Sequence, residues 1–268
     1  MAGAVRTARQ HEAALAQAVV AREHDAAARL TAATLGAVDR VPSVPGASTH
    51  VHATPARTTG GDLWLCRAID ETLWFAVGDI SGKGLPAAVL MSTVVTAANA
   101  GIDRHNGDGI KAVIEAIEAW VREPLESAGL FATFALGRWS ATDGLLIVNA
   151  GHSPIIKVVG TSSAPSARRI EATSPPLGVI GGLLPAVEHH RLDPGDVLVV
   201  ATDGFTEQRD QGGEVFGEDT FDAEVAKVAA LANAPAIGTT LVEAVLDHAD
   251  GADQDDDRTM FTLKISAR

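Results

Sequence analysis

From residue 57 onward the chain alternates short apolar runs with Gly, Asp and Pro, and that punctuation predicts strands. Residues 63–69 and 73–79 read as two strands joined by a tight turn at Asp70-Glu71. Residues 131–139, 145–150 and 155–160 read as three more, with Asp143-Gly144 as the hairpin signal between the first two. A strand at 196–204 follows the turn Pro194-Gly195, and the last strand is 258–265. Helices fill the intervals. The segment 85–102 carries no charge and has Pro86 in its first turn. The segment 109–122 places Ile110, Val113, Ile114, Ile117, Trp120 and Val121 on one face. Two further helices, near 220–232 and 236–249, precede the final strand. Hairpin-like connections argue against a doubly wound parallel sheet. The element order points to two packed sheets with helices outside, and no internal repeat is visible.

The first forty residues follow another pattern. Residues 6–38 are rich in Ala, Gln, Glu and Arg, with no Gly or Pro before Gly36, and predict a helix. Leu15, Val19, Ala26 and Leu30 trace a thin apolar seam broken at Arg22-Glu23. It suits a helix docked on its own domain or a homodimer contact. Residues 41–56 contain Pro42, Pro45, Gly46 and Pro55 and read as an extended linker. The expected organisation is a helical linker or dimerisation segment at 1–40 and one folded domain at 41–268.

Composition narrows the function. Of 268 residues, 46% are hydrophobic and 21% charged, enough for a sizeable core. The formal net charge of −13 excludes nucleic acid or an anionic membrane surface as the main partner, and it suits cation binding. The single cysteine, Cys66, can form neither an internal disulfide nor a cysteine zinc site, and points to reducing cytoplasm. The uncharged run 85–102 reaches the length of about 18 residues at which a membrane span is considered. Its Pro86, Ser92, Thr93, Thr96 and Asn99 favour a helix buried in a soluble domain, so no membrane span is expected.

Several carboxylates stand at strand ends beside glycine. Asp62 follows Gly60-Gly61, Asp79 opens the loop after 73–79, Asp203 precedes Gly204, and Asp255, Asp256 and Asp257 precede the last strand. Such positions let a carboxylate enter a cleft while the backbone stays close to a ligand. Convergence of several would make an oxygen-only site for a hard cation. Any one alone is an ordinary turn aspartate. Other motifs carry less. GDISGKG is not a phosphate-binding P-loop, because Val77 replaces the required Gly and Gly84 follows Lys83. His152 could line a cleft or fix its loop by hydrogen bonding, and the second reading is favoured; His189-His190 lacks partners at zinc spacing, and Cys66 reads as a buried small hydrophobe.

The words around the carboxylates are more specific. GGDLW (60–64), VGDISGKGLPAAVLM (77–91), LFAT (130–133), NAGHSP (149–154), PPLGV (175–179), LDPGDVLVVATDGFTE (192–207), GEVFGED (213–219) and DDRTMFTLKI (256–265) occur in this order. Together they resemble the SpoIIE/RsbU-like branch of the PPM protein Ser/Thr phosphatases, the type 2C superfamily, over roughly residues 48–268. The resemblance implies an α+β fold: a four-layer α-β-β-α sandwich of two antiparallel sheets flanked by helix pairs, with the N-terminal helix in front. It implies two divalent cations, Mn²⁺ or Mg²⁺, and hydrolysis of phosphoserine or phosphothreonine by a metal-activated water.

Carried over residue by residue, Asp79 bridges the two metals and is catalytic, and the Ile80 carbonyl completes one side. Asp203, also catalytic, and Asp256 hold the other metal. Asp62 acts directly or through water. Asp257 is the adjacent alternative to Asp256, and Lys83 is a phosphate-attracting candidate. Two departures stand out: Leu65 occupies a position that often carries a second Asp, and Ser81 lies where the eukaryotic branch places a His. The implied substrate is a phosphorylated regulatory protein, a STAS-like anti-sigma-factor antagonist. A non-catalytic pseudophosphatase and a phosphatase of small phosphoesters are the competing readings.

Overall fold

A computed structural model describes residues 38–56, 60–159, 165–180 and 185–266, together with His11, Arg22, Ala26, Arg29 and 33–35. Strands β1 (Ala47–Thr54), β2 (Asp62–Ile69) and β3 (Thr72–Ile80) are followed by helices α1 (Leu85–His105) and α2 (Ile110–Ala128). Six strands come next: β4 (Ala132–Ser140), β5 (Gly144–Ala150), β6 (Ile155–Val159), β7 (Ser166–Arg169), β8 (Val187–His190) and β9 (Val197–Ala201). Helices α3 (Glu218–Val228) and α4 (Ala234–Ala249) precede β10 (Arg258–Ile265). The strands form two five-stranded sheets, ordered β1-β10-β9-β6-β7 and β2-β3-β4-β5-β8, with antiparallel neighbours throughout.

Three apolar layers hold the four structural layers together. Successive side chains of a strand face opposite ways. On β2 and β3, Leu63, Leu65, Trp74 and Ala76 therefore pack under α1 and α2 against Val94, Ile114 and Ile117. Trp64, Phe75 and Val77 face the other sheet and meet Val200, Phe261 and Leu263. Phe75 stacks on Phe261 with ring centroids 4.2 Å apart, pinning sheet to sheet. Beyond the second sheet, Ile156, Val199 and Met260 pack with Phe221, Leu241 and Val245 of α3 and α4. This is the expected sandwich of two antiparallel sheets flanked by helix pairs. Helix α1 is long and apolar enough to cross a membrane by length and composition, yet Ala88, Met91, Val94, Val95 and Ile102 are buried in this core.

Three local expectations differ from the structure. The stretch read as a linker contains β1, which pairs along its whole length with β10. Its alternation of small residues (Ala47, Thr49 and Val51 buried, Ser48, His50 and His52 less so) is too weak in hydrophobicity to stand out between prolines. Strand β7, SARR, lies in a Ser/Pro-rich stretch and has no apolar run at all; it is an edge strand held by β6. Helix α2 runs past Arg122 and through Pro124 to Ala128, because the fully buried Leu125 anchors the extra turn. Of the N-terminal seam, Leu15, Val19 and Leu30 lie outside the described residues. Ala26 is helical and exposed, Thr34 Oγ1 lies 2.9 Å from Ser92 Oγ of α1, and Leu35 packs against two of the apolar layers.

Candidate metal centre

Both sheets deliver their carboxylates to the same end of the sandwich. Asp62 is the first residue of β2 and stands directly opposite Asp79 near the end of β3. In the other sheet, β9 ends at Ala201 beside Met260 of β10, so Asp203 just after β9 and Asp255–Asp257 just before β10 share one edge. Asp79 lines two openings. A cleft of about 520 Å³ places it with Thr133, His152, Thr202, Asp203, Glu207 and Arg209. A smaller cavity of about 110 Å³ places it with Gly82, Lys83, Asp255, Asp256 and Asp257.

The close approach depends on Gly61. A Cβ there would lie 2.4 Å from Asp79 Oδ1 and 2.6 Å from the Ile80 carbonyl oxygen, so no larger residue leaves these two oxygens side by side. The Ile80 amide donates to the Gly61 carbonyl at 3.1 Å, which fixes the two loops together.

Supporting bonds come from residues whose roles the sequence did not disclose. Thr202 Oγ1 donates to Asp62 Oδ2 at 2.8 Å and accepts from the Thr259 amide at 3.0 Å, tying the start of β2 to the other sheet. The Asp79 amide donates to Thr133 Oγ1 at 3.1 Å, and Thr133 Oγ1 lies 3.0 Å from His152 Nδ1. His152 is held in turn by Asn149, whose side chain accepts from the His152 amide at 2.8 Å and donates to its carbonyl at 3.0 Å. His152 thus both lines the cleft and fixes its wall. Thr133, Asn149 and Thr202 all fall inside the recognisable words LFAT, NAGHSP and ATDG, but a threonine or asparagine announces no chemistry until its partner is known. Ser81 is likewise structural: it exchanges hydrogen bonds with Phe131 through its amide and its hydroxyl, both at 2.9 Å. Leu65 is buried under α1, where a carboxylate would be far from the site.

Asp256 and Asp257 part company. Both oxygens of the buried Asp257 accept backbone amides, from Ala56 and Gly61, each at 2.9 Å. Asp256 Oδ1 accepts the Asp257 amide at 2.9 Å, while its Oδ2 faces Lys83 Nζ at 3.2 Å.

Crowding of carboxylates is written into their acidity. Burial, then repulsion from Asp203, Asp256 and Asp257, pushes Asp79 up to about 7. Burial, then Asp79 and Asp257, raises Asp62 well above the usual carboxylate range. Asp203 is raised by burial, Glu207 and Asp256. Asp257 is raised by burial, against the amides it accepts. Burial lowers His152 to about 4, so the ring is neutral. Burial also pushes the Cys66 thiol up to about 12, which removes it as a nucleophile.

Among the described residues, no three His, Cys, Asp or Glu side chains already converge at coordination spacing. Asp62 is engaged by Thr202, Asp257 by amides and Asp256 by Lys83. The donor set nevertheless fits a hard divalent cation. It is all oxygen, it is crowded enough to resist ionisation without a counter-charge, and Gly61 lets an Asp79 carboxylate oxygen and the Ile80 carbonyl oxygen approach the same point.

Comparison with known proteins agrees with this architecture. Residues 69–266 match the family described as Stage II sporulation protein E (SpoIIE). The chain is 26% identical to protein IcfG of Synechocystis sp. in an alignment of 235 positions that covers 78% of this chain and 36% of that protein. It therefore spans about a third of that relative. The RsbU and RsbW domains of Rv1364c from Mycobacterium tuberculosis superpose with a TM-score of 0.70 at 28% identity, over 85% of this chain and 63% of that one. The SiaA-PP2C domain of Pseudomonas aeruginosa superposes with a TM-score of 0.78 at 18% identity, over 94% and 99%, and shares the fold. With the family matched over residues 69–266, the chain belongs to the SpoIIE family, and its two-sheet core shares the fold of PP2C phosphatase domains.

Proposed function

We propose that this domain hydrolyses phosphoserine or phosphothreonine on a regulatory protein, using two divalent cations, Mg²⁺ or Mn²⁺. Asp79 would be shared by both cations, with the Ile80 carbonyl and Asp62 on one side and Asp203 and Asp256 on the other. When bound, such a pair supplies charge neutralisation of the phosphoryl group and activation of the attacking water. The observation that carries this reading is Asp79 itself: one carboxylate lining two cavities, with its Oδ1 and the Ile80 carbonyl oxygen converging on space that residue 61, as glycine, leaves clear.

The chain's own residues have separable tasks. Thr202 orients Asp62, and the Asn149–His152–Thr133 chain fixes the Asp79 backbone. The larger cleft would receive the phosphorylated side chain between Thr133, Arg209 and Val215. Asp257 holds the loops in register through two amides and would not ligate. No covalent phosphoenzyme is required. The similarity to a chain that carries an RsbU domain together with an RsbW domain supports a substrate among regulatory partner proteins, such as a STAS-like anti-sigma-factor antagonist, in the cytoplasm.

The test is hydrolysis of p-nitrophenyl phosphate with Mn²⁺, with Mg²⁺ and with chelator, followed by phosphopeptide and phosphoprotein substrates. Metal-dependent turnover lost by about 10²–10³-fold in Asp79→Asn, the scale for losing one electrostatic stabiliser, supports the assignment. No turnover with either metal would leave a binding module, and turnover confined to small phosphoesters would remove the protein substrate.

A further inference from the structure

Asp256 has both oxygens committed. Oδ1 accepts the Asp257 amide at 2.9 Å, and Oδ2 forms an ion pair with Lys83 Nζ at 3.2 Å. The partners come from different sheets: Lys83 lies in the loop between β3 and α1, and Asp256 in the loop entering β10. The ion pair therefore crosses the mouth of the 110 Å³ cavity whose wall includes Asp79, Asp255 and Asp257, and Lys83 is the only cation among that cavity's lining residues. The side chain is 64% exposed, and Gly82 and Gly84 on either side have φ of 102° and 82°, conformations open to glycine and strained for other residues.

We propose that Lys83 is an internal counter-cation of the metal site: it occupies Asp256 while the divalent ion is absent and has to leave Oδ2 before Asp256 can take that ion. The inference rests on the reading of Asp256 as a ligand. An ammonium and a divalent ion compete for one carboxylate oxygen, so loading is an exchange of cations rather than a simple addition. The geometry makes Lys83 a determinant of the metal concentration at which the centre fills. It also gives the loop ahead of α1 two positions, one tied across the cavity and one released.

The size of the effect is bounded by exposure. An exposed ion pair competes weakly, so removing it tightens Mg²⁺ binding by about two- to five-fold. The experiment is calorimetric titration of Mg²⁺ into the whole chain, without substrate, for the wild type, Lys83→Met, Lys83→Arg, Asp256→Asn and the Lys83→Met/Asp256→Asn double variant. The expected result is tighter binding in Lys83→Met, near wild-type binding in Lys83→Arg, and no effect of Lys83→Met once Asp256 is Asn. Unchanged or weaker binding in Lys83→Met overturns the proposal. So does an equal tightening in the Asp256→Asn background, which would mean a general field effect of one lost charge. Should the wild type bind no divalent ion, the phosphatase reading falls and the ion pair is read separately, by melting in chelator. Lys83→Met then lowers Tm by about 1–2 °C only where Asp256 is intact. Equal lowering in both backgrounds overturns the pairing itself.

Discussion

Two adjacent aspartates, 256 and 257, show how little a residue's type says about its work. Asp257 is buried and its oxygens stitch Ala56 and Gly61 to the start of β10. In Asp257→Asn one amide N–H would meet an NH₂ donor, at a cost of about 1–3 kcal/mol of stability. Asp256→Asn should lower the melting temperature by no more than the about 1–2 °C carried by its ion pair with Lys83, and lose turnover by about 10²–10³-fold. Thermal melts beside rate measurements check both, and a stable but inactive Asp257→Asn would reverse the roles. Asp79 makes a pH prediction. Its folded pKa of about 7 lies above the ordinary carboxylate value, so the folded chain holds that proton more tightly than the unfolded chain. That contribution to stability is present at low pH and is lost as pH rises through about 7. His52 and His152, both lowered to about 4, act oppositely, gaining stability as pH rises towards the ordinary His range. Comparing wild type with Asp79→Asn in chelator cancels the histidines. Wild-type Tm should fall relative to the variant as pH rises from about 4 to about 7 and run level with it above that, and added Mg²⁺ should restore it. Parallel curves would show that Asp79 titrates normally.

At the level of elements, the site is a property of strand ends. The β2–β3 register sets Asp62 against Asp79, and the β9–β10 register brings Asp203 to the triple-Asp loop. Gly61 is the point at which the first pair is closed up. Gly61→Ala should fold less stably and bind metal worse, since its Cβ would displace the Asp79 carboxylate and the Ile80 carbonyl together. Normal activity with normal stability in that variant would mean that the loops carry no close contact there. Elements with strong apolar period, such as α2 and β3, were legible from the sequence. β1 and β7 were not, because their stability comes from pairing with β10 and β6 rather than from their own side chains. The words containing Thr133, Asn149 and Thr202 were legible too, while their bonds to Asp79, His152 and Asp62 were not.

The whole molecule joins three apolar layers, and the contact of Thr34 with Ser92 brings the N-terminal segment onto α1, the helix that follows the loop carrying Lys83. A truncation removing residues 1–32, which keeps Thr34 and Leu35, should alter either the oligomeric state or the midpoint of a Mn²⁺ titration. Light scattering and calorimetry check this. An unchanged mass with an unchanged midpoint reduces the segment to a tether.

The sequence by itself determined the fold class, the two-sheet sandwich and the set of carboxylates. Each of these is encoded locally, in hydrophobic period, turn residues and short words in fixed order. Only the tertiary structure decided which of those carboxylates share a cavity, that Asp257 is spent on backbone amides, and that Lys83 sits on Asp256. These depend on the meeting of segments far apart in the chain, such as 56 with 257, 62 with 202 and 83 with 256. A turn aspartate looks the same in sequence whichever partner the fold brings to it, because the partner is set by sheet register and close packing, not by its neighbours along the chain.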